Sequence, residues 1–281
     1  MHLLTYAALF FCANAGAEQG PGSASVEDLS VTANGRTFAV RVLSPPADKL
    51  AKDPALLLTF AMDRVTSLEK RPYSLAAEYF VAQGHRAASF DLPNHGERID
   101  HHGEGIEGMH NAFVAGDDPF AMFVADGKAA IDECVKRGLA RPARIAVAGT
   151  SRGGYMALRL LAADGRIAAG AGFAPVTDWC ELREFAADRD RADVAQLRLV
   201  NFIPGMLGKR VFIAIGKMDT RVSTQRCQEF ADKLTATSAR AGHASELVEF
   251  HLTDDPGHSC SEEWRNRGQV ALLRGVTANL P

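Results

Sequence analysis

The sequence predicts an α/β fold, a doubly wound and mainly parallel sheet with a short helical cap insertion. Three observations carry that expectation. Apolar runs recur at 55–61, 86–90, 144–148, 167–173, 210–215 and 247–252. Unbroken hydrophobic runs of this length suit strands buried on both faces. Helical patterns separate these runs, and strand–helix alternation implies parallel pairing with right-handed crossovers that put helices on both faces. The chain has 281 residues, 47% of them hydrophobic, enough for one large core in one domain. That domain is expected over 18–281.

The elements follow in order. Residues 3–12 are apolar and lead to Ala15-Gly16-Ala17, so 1–17 reads as a secretory signal cleaved near Glu18, and export to the periplasm or medium is expected. The run is too short to span a bilayer. Residues 18–24 read as a linker. Segments 26–32 and 36–43 read as strands around Ala33-Asn34-Gly35, and Asn-Gly is a strong hairpin signal. A helix is expected at 73–83, stopped by Gly84. Residues 99–116 are rich in Gly and His without periodicity, which predicts a loop or small insertion. At 118–137 a long amphipathic helix is expected, with Phe120, Phe123, Ile131 and Cys134 at helical spacing. Gly127 shares that face, where a missing side chain permits close approach. Segment 176–207 is mixed and charged and reads as the cap. Helices are expected at 225–241 and 262–279. The net charge is −3, with acids and bases interspersed, so nucleic acid is not an expected partner.

The chemistry concentrates at Gly149-Thr150-Ser151-Arg152-Gly153-Gly154. The stretch follows a strand and precedes the helical pattern 155–161. Strand, Gly-x-Ser-x-Gly and helix together make the context in which a serine hydroxyl is held out on a strained turn, with glycines where a Cβ would collide. A serine hydroxyl needs a base, and the base needs an orienting acid. Asp219 follows the 210–215 strand and His258 follows the 247–252 strand. His251 lies inside that strand and His243 before it, so neither is expected to reach Ser151.

With those residues in that order, the chain resembles the α/β-hydrolase superfamily over nearly all of 18–281. The Gly-Thr-Ser-Arg-Gly-Gly turn, the Gly216 to Val222 acid loop and Gly257-His258 are similar to its prolyl-oligopeptidase-like and dienelactone-hydrolase-like branch. So is Asp91-Leu92-Pro93-Asn94-His95-Gly96. The resemblance implies a catalytic triad of Ser151, Asp219 and His258. Many relatives place His-Gly after the third strand as half of an oxyanion hole. Here the site reads Phe60-Ala61-Met62-Asp63. A main-chain N–H can still serve, so the oxyanion-hole candidates are Ala61 or Met62 for one donor and Arg152 for the other.

Four further expectations remain. The Arg152 side chain contacts the oxyanion or an anionic substrate group, or else pairs with a nearby acid. Trp179 and Phe173 are substrate-binding candidates, although core packing accounts equally well for Trp179, Phe185, Phe202 and Met206. No metal or cofactor is expected, because the spacing of Asp91, His95, His101, His102, Glu104 and His110 fits no metal signature; His95 is expected to pack beneath the site. Cys134, Cys180, Cys227 and Cys260 either pair, with a Cys227–Cys260 bridge tying the acid and base loops, or remain buried thiols. The expected activity is hydrolysis of a small-molecule carboxylic ester through an acyl-enzyme. Two other readings stay open. One is a serine peptidase or amidase of the prolyl-oligopeptidase type, whose members usually carry a propeller domain for which this chain has no room. The other is a non-catalytic binding protein on the same fold.

Overall fold

The computed structural model describes residues 24–278, so the leader read in 1–17 lies outside the described residues. Strands β1 (Ser25–Ala33) and β2 (Arg36–Ser44) form the expected hairpin. Asn34 and Gly35 at its tip have φ of 49° and 75°, the left-handed backbone that a tight two-residue hairpin turn requires. The chain continues through β3 (Leu56–Phe60), α1 (Arg64–Glu69), α2 (Leu75–Ala82), β4 (Arg86–Phe90), α3 (Gly105–Ala115) and α4 (Pro119–Lys136). Next come β5 (Ile145–Thr150), α5 (Arg152–Ala163), β6 (Ile167–Phe173), α6 (Ala192–Gln196), β7 (Arg210–Gly216), α7 (Thr224–Arg240), β8 (Val248–Thr253) and α8 (Glu262–Thr277).

The strands form one eight-stranded sheet in the order β1-β2-β4-β3-β5-β6-β7-β8. Among these described strands, the β1–β2 and β2–β4 pairings are antiparallel and the rest parallel. The mainly parallel doubly wound sheet is therefore present. Its central strands alternate between two cores because successive side chains point to opposite faces. Leu56, Leu58 and Phe60 of β3 and Val211, Ile213 and Ile215 of β7 join the core beneath α4, α5 and α7. Leu57 of β3 and Phe212 and Ala214 of β7 face α1, α2 and α8. Each large side chain fully buried in this way contributes roughly 1.5–3 kcal/mol. A Cβ added to Gly127 would lie 2.7 Å from Leu160 Cδ2, so that glycine does permit the close contact of α4 with α5.

Two local expectations are corrected. Residues 99–116 are not simply a loop, because α3 occupies Gly105–Ala115 with Ile106, Met109, Ala112 and Phe113 buried. That spacing is helical, and Gly116 at φ 97° ends the helix in a left-handed cap. Helix α1 (Arg64–Glu69) is an element beyond those expected from the sequence. Its start is fixed by Asp63, whose carboxylate accepts from the Thr66 N–H at 2.8 Å. Segment 176–207 contains α6 and short 3₁₀ turns at Trp179–Glu181, Arg183–Asp188 and Leu199–Met206. The Tyr155 hydroxyl on α5 donates to the Leu197 carbonyl at 2.6 Å and ties this segment to the body of the fold.

Candidate active site

Ser151 stands between β5 and α5 at φ 56° and ψ −121°. A non-glycine residue there is strained, and the surroundings must enforce it. Its N–H donates to the Phe173 carbonyl and its carbonyl accepts from the Val176 N–H, each at 3.0 Å. Gly149 and Gly153 make the turn sterically feasible. A Cβ on Gly149 would run into the Gly153 carbonyl, and one on Gly153 into the Phe60 carbonyl. The second close approach brings the end of β3 against the start of α5.

The acid and base come from adjacent loops because β7 pairs with β8, Gly216 opposite Thr253. A Cβ on Gly216 would lie 2.7 Å from the Asp255 carbonyl oxygen, so the two loops leave the sheet in contact. Asp219 is 2% exposed. Its Oδ1 accepts from the N–H groups of Arg221 and Val222 at 2.9 and 3.3 Å. Its Oδ2 lies 2.7 Å from His258 Nδ1, and His258 Nε2 lies 2.9 Å from Ser151 Oγ. A carboxylate accepts only, so Nδ1 carries the proton and Nε2 is free to accept from the serine hydroxyl. The arrangement can therefore deprotonate Ser151 as it attacks and keep the imidazole in the tautomer that this step needs. Glu184, on the Arg183–Asp188 turn, holds Arg221 at 2.7 and 2.9 Å. Segment 176–207 thereby braces the loop that carries Asp219.

The two alternatives for the first oxyanion donor are now distinguishable. The Ala61 N–H is committed to Ser67 Oγ at 2.9 Å. Met62 N–H has no acceptor among the described residues, nor does Arg152 N–H at the first position of α5, and both residues line the cavity at Ser151.

The Arg152 side chain pairs with no acid among the described residues. Its Nε donates to His95 Nε2 at 2.8 Å. His95 Nδ1 lies 2.8 Å from the Pro93 carbonyl, which can only accept, so the ring is protonated at Nδ1 and accepts at Nε2. Burial first, and then the neighbouring guanidinium, lowers the His95 pKa to about 4. The loop carrying His95 is shaped by Asp91, which accepts from the Arg64 and Glu97 N–H groups at 2.8 and 2.9 Å. His95 thus lies beneath the site, as expected from the sequence.

The cavity at Ser151 encloses about 260 Å³. Trp179 and Phe173 are not among its lining residues and are corrected. Trp179 is fully buried, with its ring centroid 4.8 Å from Phe120 and 5.1 Å from Tyr155. Phe173 is the last residue of β6, and its ring packs under α8 against Gly268. Apolar rings at such positions are held by core packing, and the sequence pattern does not separate that role from a pocket wall. Sequence reading missed Tyr73 and Arg265, which do line the cavity. A signal for Arg265 existed, since it shares the buried face of α8 with Gly268, Gln269 and Leu272, and a charge on such a face calls for a reason.

All four cysteines among the described residues are free thiols. The alternative of a Cys227–Cys260 bridge is therefore not realised. Burial raises Cys260, which lines the cavity, to about 12, which makes it a poor nucleophile beside Ser151. Asp100, His101 and His102 bring potential ligand atoms within 4.8 Å of one another, but none of them lines the Ser151 cavity.

Fold and site together define a serine hydrolase of the α/β-hydrolase superfamily. The chain belongs to the prolyl oligopeptidase family, whose profile matches residues 122–273. A cold-adapted esterase from an Arctic intertidal metagenomic library is 22% identical, with a TM-score of 0.67 over 92% of this chain and 99% of that one. An esterase of Pyrococcus furiosus is 17% identical, with a TM-score of 0.63 over 90% and 92%. Dipeptidyl peptidase 4 of Porphyromonas gingivalis is 20% identical, with a TM-score of 0.67 over 90% of this chain but 36% of that one. At these identities the likenesses speak for the fold. No curated protein sequence matches the chain.

Proposed function

We propose that the chain hydrolyses small carboxylic esters through an acyl-enzyme on Ser151. The observation that carries this reading is the hydrogen-bond chain from Asp219 through His258 to Ser151, at 2.7 and 2.9 Å. Ser151 Oγ attacks the ester carbonyl while His258 Nε2 takes its proton. The N–H groups of Met62 and Arg152 receive the oxyanion. His258 returns the proton to the departing alkoxide, and water then repeats the sequence to release the acid. Asp219 holds the tautomer and stabilises the imidazolium. An ester is favoured over a peptide by the small cavity and by the esterases that this chain matches over nearly their whole length. Peptide or amide hydrolysis is the second reading, favoured by the family to which the chain belongs. Export of the chain, expected from residues 1–17, belongs to this proposal, and N-terminal sequencing of the mature protein checks it.

Fluorophosphonate labelling with peptide mass spectrometry tests the nucleophile. The expected adduct sits on Ser151 and is absent from Ser151→Ala. Matched ester and anilide substrates of one acyl group then separate the two readings, with the ester turned over and the anilide not. Anilide turnover at a comparable rate would favour the peptidase instead.

A further inference from the structure

We propose that the cavity at Ser151 selects esters bearing a carboxylate, which the guanidinium groups of Arg152 and Arg265 hold. This rests on the esterase reading above and names its substrate class.

Arg265 projects from α8 and is 4% exposed. Its Nε donates to the Cys260 carbonyl at 3.0 Å and its Nη1 to Thr150 Oγ1 at 2.9 Å. Both acceptors are neutral, and Nη2 has no acceptor among the described residues. Arg152 spends its Nε on the neutral ring of His95, and neither of its Nη atoms has an acceptor among the described residues. That leaves the end-on edge of the Arg152 fork free, an edge that matches the two oxygens of a carboxylate. Burial holds both guanidinium groups below their ordinary pKa.

Among the described residues, no Asp or Glu lines the cavity. The nearby carboxylates are engaged elsewhere. Glu184 is bidentate on Arg221, and Glu262 bonds Arg71 at 3.2 Å. Asp255 accepts from Thr253 Oγ1 and from the Ser261 N–H, each at 3.0 Å. Asp219 stands behind His258. Withdrawing a cation from water is costly unless an anion or full hydrogen bonding compensates it. Here that compensation is incomplete for two cations facing one small cavity beside the nucleophile. A carboxylate on the substrate completes it, and the cavity volume limits that substrate to a compact ester.

The carboxylate can reside on the acyl or on the alcohol portion, so two arms are needed. The acyl arm compares mono-p-nitrophenyl glutarate with its methyl ester. The alcohol arm compares 3-butyryloxybenzoate with its methyl ester. In at least one arm, kcat/KM is expected to be about ten- to a hundredfold higher for the charged member, the range of hydrogen bonds to charged groups. Added salt reduces that preference. Arg152→Gln keeps the main-chain N–H and should collapse the preference chiefly through KM. Arg265→Lys should weaken it. Because Arg265 also ties Thr150 to the Cys260 loop, the wild-type ratio and Arg152→Gln carry the test if that variant misfolds. Charged-to-neutral ratios at or below one in both arms, with Ser151 labelled and neutral esters hydrolysed, overturn this inference alone. A preference untouched by Arg152→Gln overturns the assignment to Arg152. Absence of both labelling and hydrolysis in folded protein overturns the esterase reading beneath it.

Discussion

Arg98 and Arg64, beneath the loop that follows β4, are each matched by a carboxylate, whereas Arg152 and Arg265 beside Ser151 meet none among the described residues. Arg98 reaches Asp126 at 2.5 Å, and Arg64 reaches Asp91 at 2.8 Å and Glu97 at 2.6 Å. The cavity arginines meet a histidine nitrogen, a main-chain carbonyl and a threonine hydroxyl. The first region uses charge to fix a loop. The second leaves charge unneutralised beside the nucleophile, in the cavity at Ser151. A local rule broken at a site but obeyed elsewhere is a mark of function. It also implies that disturbing the first region should cost mainly stability, and disturbing the second mainly substrate preference.

The largest expected effect lies in the cavity. Ser151→Ala should reduce ester turnover by at least about 10⁴-fold, and Asp219→Asn by about 10⁴-fold, as in serine hydrolases whose base loses its nucleophile or its tautomer. Initial rates with p-nitrophenyl acetate measure both, and denaturant midpoints check that folding is retained. The next effect lies in the other region. Asp126→Asn strands the Arg98 guanidinium and should lower unfolding stability by about 3 kcal/mol, with the fluorophosphonate labelling rate unchanged. Arg152→Gln removes a cation that has no counter-charge among the described residues, so its cost should stay within about 1 kcal/mol. Equal losses from the two substitutions, measured by urea unfolding, would erase the distinction between the regions.

Much of this was legible in the sequence, for identifiable reasons. The strands at 55–61, 144–148 and 210–215 were readable because burial on both faces leaves no polar position to blur the run. Ser151, Asp219 and His258 were readable because each follows a strand in the order that the resemblance implies, and the structure brings them into one hydrogen-bonded line. Helix α3 was obscured because Gly105 and Gly108 dilute a pattern still visible at Ile106, Met109, Ala112 and Phe113. Gly108 is required there, since its Cβ would strike the Gly103 carbonyl. Trp179 and Phe173 were misread because a ring in a core and a ring in a pocket leave the same mark on a sequence. That the Ala61 N–H is engaged rests on a single hydrogen bond to Ser67, which no spacing encodes. Arg265 reaches Thr150 across 115 positions of the chain, and only the fold brings such a pair together.

Acid should act on the same contrast, because the neutral acceptor beneath Arg152, the His95 ring, can titrate. His95 is 5% exposed and its pKa is lowered to about 4, whereas an unfolded chain binds that proton near pH 6.5. Between those values the unfolded state holds the extra proton, so stability rises with pH. The contribution is complete above about pH 6.5 and is lost progressively as pH falls toward 4. At pH 5 the loss should be about 2 kcal/mol relative to pH 7. Protonation at Nε2 would also remove the acceptor of the Arg152 Nε–H and set a second cation against the first. In His95→Asn this component of the acid slope should vanish, although the variant itself starts from a lower stability at pH 7. Urea midpoints at pH 7 and pH 5 for the two proteins measure the difference. An identical acid slope in both would mean that His95 takes up its proton in the folded chain at an ordinary pH. The neutral acceptor that distinguishes Arg152 from Arg98 would then already be charged at pH 5.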